Sequence, residues 1–328
     1  MDGKVNAGLE KGLSVLVPVY DWDSSALLFG LHEQGMRLLE KRSRDSQAEF
    51  GFELIVADDC SSQVILRDKV AASVKGLSCC RYFALEHNIG RAAVRNFLAD
   101  KARFDKLLFI DCDAELCSCS FLEEYLNASG SASDSGEGRV QVGCGGLKHP
   151  DTLPAKGMEL RYRYEKKADR KRSAAYRCIE PYDRFTPFSF LIDSTCFNAI
   201  RFDESFSRYG YEDVLFGMEL KRRNVPIMHI DNPLVHVGLE DSRTYLAKTD
   251  TAVRNLHENM DRIGEGSNLL SCYRSLERLH LTGLILAIGK CFDKSITANL
   301  TGRHPSLKLF SFYKLYRLAA FCKCTSAD

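Results

Sequence analysis

Asp111 and Asp113 leave the apolar run LLFI with one residue between them. Carboxylates so spaced, on a turn after a strand, can both reach one hard divalent cation. Mg2+ or Mn2+ takes oxygen ligands and keeps positions open for the oxygens of a substrate phosphate. A bare DxD is common by chance, so its weight comes from its place in the chain. Glu212-Asp213 opens a helical segment in the turn YGYED. The helix dipole there favours the ionised form that a general base needs, whereas plain capping would be worth ~1 kcal/mol. His236, in NPLVHVG, could complete a carboxylate site for Mn2+ as a neutral imidazole, although a lone histidine is more often structural. His229, between Met228 and Ile230, is assigned to packing. In NIGRAAVRN, residues 88–96, Gly90 sits at a turn and Arg91 and Arg95 share one helix face. Planar guanidinium groups there could grip a diphosphate at two points. No GxGxxG or GxxxxGK[ST] is present, so a nucleotide must be held in another way.

These residues need elements to carry them. LSVLVPVY (13–20), FELIVAD (52–58), CRYFAL (80–85) and KLLFID (106–111) read as buried strands. Between them DSSALLFGLHEQGMRLLEKR, capped by Asp23 or Ser24, and GRAAVRNFLADKA read as helices. The alternation predicts an α/β fold with a mostly parallel sheet covered by helices. Its chemistry belongs at the carboxyl ends of the strands, and those ends are acidic: Asp21 and Asp23, Asp58-Asp59, Asp111 and Asp113. One such acid could merely cap the next helix; three acidic ends on one edge favour a functional cleft.

Further on, NASGSASDSGEGR (127–139) reads as a surface loop without chemistry. VGCGGL (142–147) reads as a strand, and PFSFLIDSTCFNAIRF (187–202) as two short strands around a turn. Residues 159–172 hold seven Lys/Arg against three acids. Most of these charges suit a solvated helix face, while one or two cations could turn toward a phosphate in the cleft. VPIMHID (225–231) is another strand, and from Asp241 onward the pattern is helical.

The 328 residues suffice for a full hydrophobic core, and a net charge of +1 gives no global field for nucleic acid. Thirteen cysteines include no CxxC pair, which argues against a zinc ribbon; buried free thiols in a reducing cytosol fit better. The opening MDGKVNAGLE lacks the apolar stretch of a secretory signal, and LTGLILAIG (281–289) falls far short of the ~20 residues that span a bilayer. A cytoplasmic protein is expected. The tail HPSLKLFSFYKLYRLAAFCKC scatters its cations around the helix, which favours packing on the catalytic domain or on a second subunit over a membrane-surface helix.

In this order LSVLVPVY, LIVADDCSS, LEHNIGRAAVRN, LLFIDCDAEL, LRYRYE with PFSFLI, RYGYEDVLFGMEL and NPLVHVG resemble the inverting glycosyltransferases of family 2, across residues 13–238. The resemblance implies a GT-A fold: a catalytic, nucleotide-sugar-binding domain at 1–240 and a helical extension at 241–328. Pro18, Val19 and Tyr20 would line the base and ribose pocket, Asp59 would accept the imide hydrogen of uracil, and Asp58 would hold that loop. Arg91 or Arg95 would face the donor. Asp113 would be the firmer ligand of Mn2+ or Mg2+, with Asp111 nearer the ribose or metal and His236 an additional ligand. Asp213 would be the catalytic base and Glu212 would orient the acceptor. The donor would be a UDP-sugar and the acceptor a glycan or a lipid-linked glycan, the latter suiting peripheral contact with the inner face of a membrane. DDCS replaces the family's frequent DDGS, so the turn after Asp59 must form without glycine, and QxxRW is absent, which points to addition of a single sugar. A nucleotidyltransferase would carry a Gly-rich basic loop where this chain reads PVYDWDSS, and a non-catalytic binding protein would not need both Asp113 and Asp213.

Overall fold

A computed structural model describes residues 10–45, 50–130, 141–206 and 210–325. The first third alternates as expected, with α2 as an unanticipated helix: β1 (Glu10–Val19), α1 (Ser25–Asp45), β2 (Gly51–Asp58), α2 (Val64–Val74), β3 (Cys80–Ala84), α3 (Arg91–Lys101) and β4 (Phe104–Ile110). The inner strands are apolar on both faces because helices cover both. Leu13, Val15, Val17, Leu54, Val56 and Leu108 join one core, while Leu16, Ile55, Ala57, Leu107 and Phe109 join the other. Asp23 accepts the backbone N–H of Ser25 at 3.2 Å, where α1 begins.

The chain continues through β5 (Ala114–Glu115), α4 (Phe121–Gly130), β6 (Val142–Cys144), β7 (Leu147–Lys148), α5 (Glu159–Asp169), α6 (Ala174–Arg177), β8 (Ser189–Asp193), α7 (Ser194–Ile200), α8 (Glu212–Arg222), β9 (Ile227–His229) and β10 (Leu234–His236). The main sheet has the order β3-β2-β1-β4-β8-β6-β9, with only β8 running against its neighbours. A second sheet, β5-β10-β7, stands over the carboxyl end of β4. After it come only helices: α9 (Ser242–Glu258), α10 (Met260–Ile263), α11 (Asn268–Arg278), α12 (Thr282–Leu300) and α13 (Leu307–Thr325), with a short 3-10 turn between α10 and α11. α13, which carries the C-terminal tail, buries Phe310, Tyr313, Tyr316 and Leu318 within the chain.

Several expectations are corrected. VGCGGL is not one strand: it turns at Gly145-Gly146 and its ends join different sheets. Residues 127–130 close α4, and the rest of the expected loop lies outside the described residues. The segment 187–202 holds one strand and then a helix, since Cys196 and Phe197 face the core while Asn198 and Ala199 face solvent, a helical period. Phe197 lies 4.9 Å from Phe109, centroid to centroid. The described cysteines are all free, but only Cys144 and Cys196 are buried; apolar neighbours in sequence do not bury a thiol on the outer face of its element. His229 is buried as expected, but as a polar strut: it meets Arg177 at 2.7 Å and the Pro181 carbonyl at 2.9 Å, and burial pushes its pKa down to about 4.

Phe197→Ala is expected to cost ~3–5 kcal/mol in denaturant unfolding and Asn198→Ala less than about 0.5 kcal/mol. Equal losses would contradict the helical placement of this segment.

Candidate active site

A cleft of about 440 Å³ opens beyond the carboxyl end of β4. Asp111, Asp113, His236, Glu212, Asp213 and Arg91 line it. Its wall also takes Arg161, Glu165 and Arg172 from the basic segment, with Glu240 and Lys248 from the start of the C-terminal helices. Carboxylates separated by a hundred residues in sequence thus share one cavity.

The second sheet brings Asp113 and His236 together. β5 and β10 pair antiparallel with Ala114 opposite His236, and Val237 N–H donates to the Asp113 carbonyl at 3.0 Å. Asp113 Oδ2 then lies 3.1 Å from His236 Nε2. Gly238 makes room, since a Cβ there would stand 2.3 Å from Asp113 Oδ2. β7 pairs parallel with β10 and delivers His149 behind the pair. His149 Nδ1 is 2.7 Å from Asp169 Oδ1, and its Nε2 is 3.3 Å from His236 Nδ1. With the Asp169 carboxylate as acceptor, His149 carries its proton on Nδ1. His236 Nδ1 can then donate to His149, and its Nε2 faces the Asp113 carboxylate. A proton on Nε2 satisfies that contact, and a divalent cation taking its place would be held by both atoms. Adjacent ligands of an octahedral ion with bonds of ~2.1 Å stand ~3.0 Å apart, which matches the spacing here. Burial works to raise the Asp113 carboxyl, but His236 and Arg91 hold it below the usual range.

Asp111 does not join this pair. Its Oδ1 takes Arg95 at 2.5 Å and its Oδ2 takes Arg91 at 3.1 Å. Among the described residues no three His, Cys, Asp or Glu converge as a metal cage. The two arginines also divide. Arg95 is fully buried, with its guanidinium 5.4 Å from the Phe202 ring centroid, and it does not line the cleft. Arg91 lines the cleft and donates from Nε to Glu212 at 2.9 Å, bridging the DxD to the second acidic pair.

That pair is aimed by a strained turn. Gly210 and Tyr211 both have positive φ, 99° and 73°, and Tyr211 has a side chain to accommodate, at a cost of ~1–3 kcal/mol. α8 starts immediately afterwards, with Glu212 buried and Asp213 half-buried in its first turn. Burial, and then the charge of Glu212, push Asp213 up to about 6. Glu212 Oε2 is buried with no hydrogen-bond partner among the described residues, an acceptor without a donor.

The residues at the ends of β1 and β2 do not line this cleft. Val19 is buried and Tyr20 is exposed, just past Pro18. Asp58 accepts from Ser61 N and Oγ at 2.7 and 2.8 Å, and so holds its loop. Asp59 accepts the N–H groups of Ile89 and Gly90 at 2.7 and 3.0 Å, while burial raises its carboxyl. Cys60 takes φ +60°, so the turn forms without glycine. Asp21 accepts from Ser62 and Gln63, and Asp23 pairs with Lys69 at 2.6 Å; both are structural. His149, Gly238, Glu165, Glu240 and Lys248 were not anticipated. Only the basic stretch hinted at this wall, through Arg161 and Arg172, which hold Glu165 at 3.0 and 2.7 Å.

Residues 41–128 match the model for glycosyl transferase family 2, a span that includes Asp58, Asp59, Arg91, Arg95, Asp111 and Asp113 but ends before Glu212. No curated protein matches by sequence. Among solved structures, mannosyltransferase PcManGT from Pyrobaculum calidifontis, in complex with GDP-Man and Mn2+, is 11% identical, with coverage of 96% of this chain and 87% of that one and a TM-score of 0.51. TarS 1-349 of S. aureus is 19% identical, covering 96% and 92%, with a TM-score of 0.45. Mannosyl-3-phosphoglycerate synthase from Rubrobacter xylanophilus is 14% identical, covering 78% and 75%, with a TM-score of 0.49. Residues 41–128 thus match the family 2 glycosyl transferase model, within a chain that shares its fold with PcManGT.

Proposed function

We propose that the chain transfers one sugar, with inversion, from a nucleoside-diphosphate donor to an acceptor hydroxyl, using a divalent cation held by Asp113 and His236. The observation that carries this reading is the single cleft lined by Asp113, His236, Arg91 and the Glu212-Asp213 pair. The cation, Mn2+ or Mg2+, would offset the negative charge that develops on the departing diphosphate. Arg91 stands beside that position and can meet a phosphate oxygen in two-point fashion. Arg95 acts one step back: by holding Asp111 it fixes the turn that carries Asp113. Asp213 takes the proton of the acceptor hydroxyl, and its raised pKa suits a base working near neutral pH. Glu212 Oε2 offers an unused acceptor to a second hydroxyl of the same substrate. Pro18, Val19, Tyr20, Asp58 and Asp59 lie at the ends of the neighbouring strands, which supports a nucleoside there, with Asp59 favouring uracil. We read residues 1–240 as the catalytic domain and 241–328 as an extension that supplies Lys248 to the acceptor wall.

Asp213→Asn is expected to lower kcat for transfer by about 10²–10⁴ while nucleotide affinity, measured by calorimetry, stays within about twofold; lost nucleotide affinity would contradict the role. Since the carboxylate is the working form, kcat/KM should rise with pH through about 6. An acid limb near the ordinary carboxylate value of about 4 would count against it. Gly238→Ala places a methyl group against Asp113 and should weaken Mn2+ binding by about 10–100-fold with an unchanged melting temperature; undiminished Mn2+ affinity would refute the seat.

A further inference from the structure

The basic segment that forms α5 turns two of its three acids inward. Glu165 and Asp169 stand one turn apart on α5, and both reach His149, the residue just past β7. The His149 side chain is fully buried. Asp169 holds it at two points: Oδ1 lies 2.7 Å from Nδ1, and Oδ2 accepts the backbone N–H at 3.4 Å. A carboxylate oxygen so close to Nδ1 requires a proton on that nitrogen. Burial pushes the His149 pKa below the ordinary imidazole value, so the ring carries one proton and Nε2 is left as an acceptor.

Two groups approach that acceptor. Glu165 Oε2 stands 3.6 Å from Nε2, beyond hydrogen-bond reach, and is engaged by Arg172 at 2.7 Å. His236 Nδ1 stands at 3.3 Å. The two imidazole rings meet at 74° with centroids 5.4 Å apart, and the Phe188 ring packs on His236 at 5.3 Å, so the His236 ring is held in this orientation.

We propose that Asp169, acting through His149, is a positioning residue for the cation seat: it makes His236 donate from Nδ1 and so commits His236 Nε2, the nitrogen beside Asp113 Oδ2, to a divalent cation. This rests on the proposed role of Asp113 and His236 as its ligands. The hydrogen bonds run one way along the chain from His236 to His149 to Asp169. A carboxylate at the far end only accepts, so His149 donates to it and accepts from His236. In this arrangement a cation takes the place of the Nε2 proton and leaves a neutral His236 ring. Were His149 protonated on Nε2 instead, His236 would accept at Nδ1 and keep its one proton on Nε2, in the way of the cation. α5 thereby serves the cleft twice. Arg161 and Glu165 line its wall, while Asp169 lies outside it and acts on the seat from behind.

Asp169→Asn tests the inference with little change of shape. An amide has one carbonyl, and the backbone N–H of His149 and the Lys166 ammonium, 3.5 Å from Oδ2, draw it to their side. The NH2 group then faces Nδ1, and the chain of hydrogen bonds reverses. Mn2+ titrated into the full chain without nucleotide, followed by calorimetry, should bind this variant about 10–100-fold more weakly than the wild type. Electron spin-echo spectra at saturating Mn2+ should show a directly bound nitrogen in the wild type and lose it in Asp169→Asn, while the melting temperature holds. His149→Gln, whose side-chain carbonyl can still accept from His236, should keep more of the Mn2+ affinity than His149→Leu. A role in folding alone would lower the melting temperature and leave the Mn2+ affinity and the bound nitrogen as they are. That result, or an Asp169→Asn chain that matches the wild type in both, would overturn the inference while the proposed function stands. A wild type that binds no Mn2+ would overturn both.

Discussion

Asp111, Asp113, Glu165, Glu212, Asp213 and Glu240 all face one cleft, and their mutual repulsion is the constraint that organises the site. Arg91, Arg161, Arg172 and Lys248 face it as well, which leaves the carboxylates in excess by two charges when all are ionised. The pairing is local. Arg161 and Arg172 hold Glu165 below the usual carboxylate range against the effect of its burial, and Lys248 pairs with Glu240. Arg91 serves Asp111 and Glu212 together. Asp113 has His236 and the charge of Arg91, whereas Asp213 has no cation of its own beyond the distant influence of Arg91. Asp213 is thus the less compensated of the two, and it is the one to which a proton is assigned here. Like charges confined in a low-dielectric cleft push apart in pKa, which allows two aspartates to play different parts at one pH.

The scaffold gives this arrangement its precision. The main sheet carries Asp111 to the cleft mouth and locks it with Arg95, a buried pair whose disruption would cost ~3–5 kcal/mol. Asp113 depends on a different device, a three-stranded sheet whose strands are two or three residues long. Such short pairings are weak alone, but here the hydrogen bond from Val237, the missing side chain at Gly238 and the imidazole chain through His149 to Asp169 all define the same geometry. The strained Tyr211 turn does the same for Glu212 and Asp213.

How much of this could be read in the sequence depended on burial. β1, β2 and β4 are buried on both faces, so their apolar runs were unmistakable. α2 was not, because Val70 and Val74 are its only buried residues and VILRDKVAASV shows no clear period. α7 was mistaken for strand because Phe197 and Cys196 carry β-type propensity that the packing against Phe109 overrides. Asp113, Asp213 and His236 were singled out because their residue types announce chemistry, and they line one cleft. Gly238 and His149 were not, since their importance lies in pairings of β10 with β5 and β7 that are too short to show a period. The acids after β1 and β2 showed the opposite weakness: Asp21, Asp23 and Asp58 have the right type and place but build loops, and only side-chain geometry separates them from Asp113. Free thiols were expected correctly and their burial was not, since a neighbour's hydropathy says nothing about which face a cysteine occupies.

The claim on which the account rests is that Asp113 and His236 form the two protein ligands of a divalent ion opposite Asp213. Anomalous diffraction from crystals of the chain grown with Mn2+ and no nucleotide addresses it directly. The account expects one strong peak about 2 Å from both Asp113 Oδ2 and His236 Nε2, with Arg91 and Arg95 still on Asp111. A peak on Asp111 or Glu212 without His236, or no peak in the cleft at saturating Mn2+, would contradict it.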